Sequence, residues 1–363
     1  MRIAIMTTGG DCSGLNSVIR HLADMGIRRG YEMVGILDGT DGLTRPGAPH
    51  FVKFGYNTLP VENARLAGSW LQNGHSHALN FQTAAKAGDM KAFNNRLKKS
   101  LAELKLDAMI LVGGNGTLSI AGQSHALYGN IQVVGIPKTI DLDIPLTDRT
   151  IGFETAVQQL TSFCDQLLLT ARSHHRWFVV QSMGRDVGAL ALHAGIACGA
   201  DAILIPEIRF KPENLIKHIN KIQKEQGRDY GIIMVSEGIK LRGHSGRPGD
   251  MIARELDKAG IPHRTAFPEH TQRAGDTVSR DRILAARFAA AALDAIENKE
   301  TYVMTRLNNG NVDTVAISDM FKSGEITPDP NIPDVFVSNE FVSDDDPLLF
   351  VAAAAGTYIG ELK

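Results

Sequence analysis

Ile3-Ala4-Ile5-Met6-Thr7-Thr8-Gly9-Gly10-Asp11-Cys12-Ser13-Gly14-Leu15-Asn16 joins an apolar run, a glycine-bearing turn and the start of a segment with helical spacing. The run 3–6 carries no polar alternation, the pattern of a strand buried on both faces in a parallel sheet. Past the turn, Leu15, Val18, Ile19, Leu22 and Met25 share one face of a helix. Glycine in such a turn lets backbone N–H groups approach an anion, and the helix N-terminus adds a favourable dipole. A tight strand-to-helix turn with nothing bound would look the same, so this stretch alone does not choose.

Working outward, further apolar runs lie at 108–112, 132–136, 178–180, 202–205 and 232–235, with helical spacing between them. One such helix carries Leu284, Phe288, Ala291 and Ala295, with Ser279 read as its N-cap. Strands alternating with helices predict an α/β fold with mainly parallel sheets. Residues 40–60 and 327–346, rich in turn formers, read as loose segments, and neither reads as an independent module. A length of 363 residues with 43% hydrophobic content is enough for two lobes. A net charge of -2 gives no electrostatic reason to expect nucleic acid or an acidic membrane as partner. No apolar run approaches the roughly 18 residues of a spanning helix, and no signal-peptide core follows Met1. The three cysteines, Cys12, Cys164 and Cys198, are too scattered for a disulfide framework or zinc site and fit a reducing compartment. A soluble, cytoplasmic protein is expected.

A second glycine turn, Gly113-Gly114-Asn115-Gly116-Thr117, also follows an apolar strand. Open α/β sheets bind ligands along the carboxyl ends of their strands, so two such turns point to a phosphate site. It is neither of the two common ones. The dinucleotide pattern fails because Ser119 occupies the third glycine position, and neither turn has the Gly-Lys-Ser/Thr of a Walker loop. A third segment, Pro137-Lys138-Thr139-Ile140-Asp141-Leu142-Asp143, places two carboxylates beside a lysine and a threonine. That set can supply a base for a hydroxyl, an oxygen ligand for a metal-phosphate and a cation for transferring charge.

Taken in order, these segments resemble the phosphofructokinase family, in register from residue 1 to about 325. The match continues through Met183-Gly184-Arg185, Ile205-Pro206-Glu207, Glu237 and His270-Thr271-Gln272-Arg273. The resemblance implies a two-lobed fold, each lobe a mainly parallel sheet flanked by helices. A donor-binding lobe would comprise 1–145 with about 273–325, a sugar-phosphate lobe 146–272, and a C-terminal extension 326–363. It also implies transfer of a phosphoryl group from ATP or pyrophosphate to the 1-hydroxyl of fructose 6-phosphate, with Mg²⁺.

Carried over by residue, Asp141 corresponds to the base, Thr139 to a ligand near the transferred phosphoryl, Asp143 to a metal-phosphate organiser and Arg185 to a stabiliser of developing charge. Gly9, Gly10, Gly114, Gly116, Thr117 and Lys138 would bind the donor. Met183, Gly184 and Glu237 would meet the sugar, and Arg176, Arg264, His270 and Arg273 its phosphate, arginine being suited by its planar fork. The equivalents of Arg176 and Arg264 reach into a neighbouring subunit's site, which implies a homotetramer or homodimer.

Several positions depart from the family pattern. Asn115 stands at a metal-organising aspartate, removing a charge from the metal site. Leu142 replaces an asparagine, Ala274 a glycine and Ser13 a proline, while Gly68-Ser69-Trp70-Leu71 lacks an arginine for which Asn73, His75 or His77 could substitute. Gly116 favours ATP, Lys138 favours pyrophosphate, and Ile120 and Leu71 fall where an adenine would lie. Two alternatives stay open: a kinase for another sugar phosphate such as sedoheptulose 7-phosphate, or a non-catalytic regulatory paralogue, against which the presence of Asp141, Asp143 and Arg185 argues. The apolar stretch 348–355 is expected to pack on the body or on a partner subunit.

Overall fold

The apolar runs become strands in a computed structural model that describes the chain except at residues 76, 124, 241–245, 323–325, 329–335, 339–341, 344–345 and 362–363. The strands of the described residues are, in chain order, β1 (Arg2–Thr7), β2 (Glu32–Ile36), β3 (Phe51–Lys53), β4 (Ala108–Gly113), β5 (Gln132–Pro137), β6 (Trp177–Ser182), β7 (Ala202–Leu204), β8 (Gly231–Ser236), β9 (His263–Ala266), β10 (Val303–Asn308), β11 (Asn311–Ala316), β12 (Ile326–Pro328) and β13 (Phe336–Ser338), and the six apolar runs are β1, β4, β5, β6, β7 and β8. Two compact units result, Met1–Thr155 with Arg273–Ser338, and Ala156–Gln272 with Asn339–Lys363.

The first unit is built on a seven-stranded sheet of order β11-β10-β5-β4-β1-β2-β3. Its centre is parallel, with Met6 opposite both Ile36 and Leu111 and Val112 opposite Ile136. Ile3, Ala4 and Ile5 are wholly inaccessible, as the unbroken apolar run predicts, each large side chain contributing about 1.5–3 kcal/mol. The helix Leu15–Arg28 turns Leu15, Val18, Ile19 and Leu22 inward. The second unit holds a four-stranded parallel sheet, β7-β8-β6-β9, around a core that includes Trp177, Val179, Ile233 and Val235. Both units are α/β with mainly parallel sheets flanked by helices.

Two readings need correction. The segment 40–60 contains the helix Asp41–Thr44 and β3, a three-residue antiparallel edge strand whose Phe51 is 37% exposed. An edge strand without a buried face leaves little periodicity to read. Ser279 lies one residue inside the helix Ser279–Glu297, whose N-cap is Val278 and makes no side-chain cap bond. The hairpin β10–β11 turns through Asn309 (φ 49°) and Gly310 (φ 82°), the Asn-Gly signature of a tight turn.

Most of 327–346 lies outside the described residues, which include there the short antiparallel pair β12–β13. The stretch 348–355 forms the helix Pro347–Ala354, with Leu349 and Ala352 buried and Phe350 and Val351 exposed. All three cysteines are buried and free, and Cys164 and Cys198, distant in sequence, hydrogen-bond to each other. Among the described residues no helix is long and apolar enough to cross a membrane.

Candidate active site

In the seven-stranded sheet the chain leaves β1 towards β2 on one side and returns at β4 on the other. The carboxyl ends of β1 and β4 therefore flank a topological switch point, where doubly wound sheets open a ligand crevice. The two glycine turns stand there, and the Lys138–Asp143 segment follows β5 beside them. A Cβ placed on Gly9 would lie 3.7 Å from Lys138 Nζ and 3.9 Å from Thr117 Oγ1, so all three turns converge on one point.

Backbone contacts hold that cradle rigid. Lys138 N–H donates to Gly113 O (2.9 Å), Thr139 N–H to Ile151 O (3.1 Å) and Thr150 Oγ1 to Thr139 O (2.8 Å). Asp141 N–H donates to Thr139 Oγ1 at 3.0 Å, which fixes the turn carrying the base candidate. Lys138, Thr139, Asp141 and Asp143 are all buried, at 2%, 8%, 5% and 2% exposure. Lys138 Nζ donates to Gly10 O, and burial lowers its pKa. The Cys12 thiol, whose Sγ lies 3.6 Å from Ile151 O, is pushed by burial up to about 12 and is chemically inert there.

Arg273 meets the same loop from another side, Nη1 donating to Asp11 O at 2.9 Å. A Cβ on Gly10 would come within 2.5 Å of that nitrogen, so a larger residue there would displace the Arg273 guanidinium. Two departures from the family pattern prove to be one contact: Ser13 Oγ donates to Ala274 O (3.3 Å) and Gly275 O (2.8 Å). Leu142, the third, adopts φ 57°, a left-handed conformation that asparagine tolerates better than leucine. Asn115 is buried and its Oδ1 accepts from Ser119 Oγ at 3.0 Å. Asn73 Nδ2 donates to Gly9 O at 3.0 Å, and His75 bonds to Asp41; the side chain of His77 lies outside the described residues. Leu71 and Ile120 are buried at 0% and 2%.

Asp281 was not singled out by sequence. Its carboxylate accepts from Gly152 N–H (3.1 Å), Thr155 N–H (2.8 Å) and Thr155 Oγ1 (2.6 Å), capping the helix Phe153–Ser173. Burial raises its pKa to about 6 against the pull of those bonds.

In the second unit, Met183, Gly184 and Arg185 follow β6 and Glu237 follows β8. Glu237 Oε1 accepts from Gly184 N–H (3.0 Å) and Arg185 N–H (2.8 Å), and Gln272 Oε1 from Met183 N–H (3.1 Å). This clamp holds Arg185 at φ 53°, a conformation costing of order 1–3 kcal/mol that persists where the surroundings impose it. An open cavity of about 710 Å³ lies against the clamp, lined by Met183, Arg185, Glu237 and His270, and by Arg247 and Glu269, which sequence reasoning did not single out. Arg176 precedes β6 and Arg264 pairs with Phe178 near the start of that strand. Seven residues at about 3.3 Å each put Arg176 roughly 20 Å along β6 from Met183, at the other end of the sheet. One copy of the chain therefore does not bring Arg176 and Arg264 to its own cavity.

Comparison with known proteins identifies the family. The sequence model for the family described as phosphofructokinase matches residues 2–296. The chain is 35% identical over 375 residues to ATP-dependent 6-phosphofructokinase 1 of Nostoc sp., covering 99% of each protein. It is 37% identical to the ATP-dependent 6-phosphofructokinase of Thermosynechococcus vestitus, covering 91% of this chain and 89% of that one. Among solved structures, phosphofructokinase from Saccharomyces cerevisiae superposes with a TM-score of 0.76 at 26% identity, over 88% of this chain and 45% of that longer one.

Proposed function

The chain belongs to the phosphofructokinase family, and on that footing we propose that it uses ATP, with Mg²⁺, to phosphorylate the 1-hydroxyl of fructose 6-phosphate. It is a phosphotransferase acting on a hydroxyl group, giving fructose 1,6-bisphosphate. The observation that carries the choice of ATP is the near-full-length likeness to relatives named ATP-dependent. Gly116 supports it.

Each residue's part follows from its surroundings. Asp141, held by Thr139, takes the proton of the acceptor hydroxyl as the oxygen attacks; general-base catalysis of this kind contributes about 10²–10⁴-fold. Lys138 and the N–H groups of the turns after β1 and β4 bind donor phosphates, and the lysine's low pKa rises once an anion arrives. Arg185 stabilises the charge that spreads over the transferring group. The sugar meets Met183, Gly184 and Glu237, whose second carboxylate oxygen accepts sugar hydroxyls.

The donor set fits a hard divalent cation, because Mg²⁺ takes one or two carboxylates together with substrate phosphates and water. Asp143 would hold it, assisted by Asp141, while Asn115 contributes less, its oxygen being engaged by Ser119. Bound there, the ion would neutralise charge on the bridging phosphates. Arg176, Arg264, His270 and Arg273 would recognise the acceptor phosphate, the first two from a neighbouring copy in a homotetramer, which light scattering of the purified protein checks. The cytoplasm is the proposed compartment.

The test is a coupled assay with fructose 6-phosphate and Mg²⁺, comparing ATP with pyrophosphate and adding sedoheptulose 7-phosphate as a second acceptor. Turnover with ATP at least tenfold above pyrophosphate is expected. Preference for pyrophosphate would assign Lys138 the deciding role, and preference for the heptulose would move the substrate assignment.

A further inference from the structure

The cavity beside the Glu237 clamp contains a cation that no part of the reading above uses. Arg247 stands at the N-cap of the helix Pro248–Lys258, and the first turn of that helix is fixed by Gly249 N–H donating to Gln181 Oε1 at 2.9 Å. Gln181 itself lines the cavity and ends close to the sugar-binding turn, so Arg247 is tied to the same strand end as Met183 and Arg185.

Its guanidinium is immobilised on three sides. The carbon lies 3.7 Å over the Phe267 ring, Nε donates to Asp250 Oδ2 at 3.0 Å, and Nη1 donates to Glu269 Oε1 at 3.3 Å. The side chain is nevertheless 50% exposed. Guanidinium has five N–H donors, and these contacts use two, leaving a fixed planar edge available to an anion. Stacking and ion pairing remove the rotamer entropy that an unrestrained arginine would lose on binding.

Among the described residues the basic side chains lining this cavity are Arg185, Arg247 and His270. Arg185 is committed to the transferring group, and of the four residues that sequence assigned to the acceptor's phosphate only His270 is present here. Arg273, on the same short helix as His270, has its Nη1 engaged by Asp11 O, while Arg176 and Arg264 stand at the far end of β6. We propose that Arg247 is an acceptor-binding residue of this chain, pairing with His270 to recognise the phosphate of the sugar phosphate. This inference rests on the sugar-phosphate reading of the cavity, which the experiment separates from it.

The intact enzyme and its Arg247→Ala and Arg247→Lys variants are compared in steady-state kinetics and in calorimetric titration with inorganic phosphate. Arg247→Ala should raise the KM for fructose 6-phosphate about 10–100-fold, as loss of a charge-assisted hydrogen bond does, with kcat and the KM for ATP within about threefold. Arg247→Lys keeps the charge without the fork and should fall between. The phosphate Kd should weaken at least tenfold in Arg247→Ala. An unchanged KM with reduced kcat would overturn the proposal, as would unaltered phosphate binding in a variant with wild-type circular dichroism. If the wild type turns over no sugar phosphate, the acceptor reading fails by itself, and the phosphate titration still decides whether Arg247 binds the anion. Where Arg247→Ala does not fold, the lysine variant gives the same decision.

Discussion

The proposed donor cradle and the proposed acceptor cavity use opposite designs. In the first unit Lys138, Asp141 and Asp143 are buried at 5% exposure or less and their turns are tied by backbone hydrogen bonds, so on the proposed function the phosphoryl machinery is assembled before any ligand arrives. In the second unit the groups around the cavity are partly exposed, and Glu237 shapes it chiefly by holding two backbone N–H groups. Phosphoryl transfer depends on positioning and electrostatics, which reward preorganisation, whereas an acceptor must enter and leave. The contrast also explains where departures from the family are tolerated: Ser13 and Ala274 meet each other, and Leu142 is absorbed as local strain.

The comparison breaks most visibly at Asp141. Asp141→Ala should lower kcat by about 10²–10⁴-fold while both KM values stay within about threefold. A comparable rise in KM instead would mean that the residue binds rather than reacts. Next comes Lys138. Burial lowers its folded-state pKa, so between that lowered value and 10.5 the unfolded chain holds more protons and stability rises with pH. In Lys138→Met this alkaline rise should disappear from urea midpoints measured as the pH approaches 10.5 from below, and the KM for the donor should rise at least tenfold. An identical pH profile in wild type and variant would show that the lysine is not desolvated.

Smaller effects sharpen the picture of strain and compensation. Ser13→Ala should cost about 1 kcal/mol in urea unfolding by deleting the bond to the 274–275 carbonyls. Leu142→Asn should raise stability by about 1 kcal/mol, because asparagine visits the left-handed region more readily. A destabilised Leu142→Asn would mean that leucine packing outweighs the backbone term.

Much of this was legible because parallel strands buried on both faces write themselves as unbroken apolar runs, and the runs 3–6, 108–112 and 132–136 each end at a turn bearing candidate site residues. Among the strands that sequence passed over, which are β2, β3 and β9–β13, β3 at an edge and β2 beginning with exposed Glu32 lack that signature. Asp281 and Arg247 were missed for a different reason. Asp281 reads as an ordinary first-turn acid of the helix Ser279–Glu297, and only the fold brings it onto Thr155, 126 positions away. Arg247 lies in a glycine- and proline-bearing stretch, and its relation to Phe267 and Glu269 depends on how the helix Pro248–Lys258 docks on β6 and β9. The pairing of Cys164 with Cys198 is likewise a product of packing.

The most direct measurement is phosphorus NMR of the purified protein with ATP, Mg²⁺ and fructose 6-phosphate, followed in parallel with Asp141→Ala. The predicted result is loss of the γ-phosphate signal matched by a new phosphomonoester at sugar carbon 1, at a rate lowered at least a hundredfold in the variant. Release of free phosphate without a new sugar ester, or transfer at wild-type rate in Asp141→Ala, would contradict it.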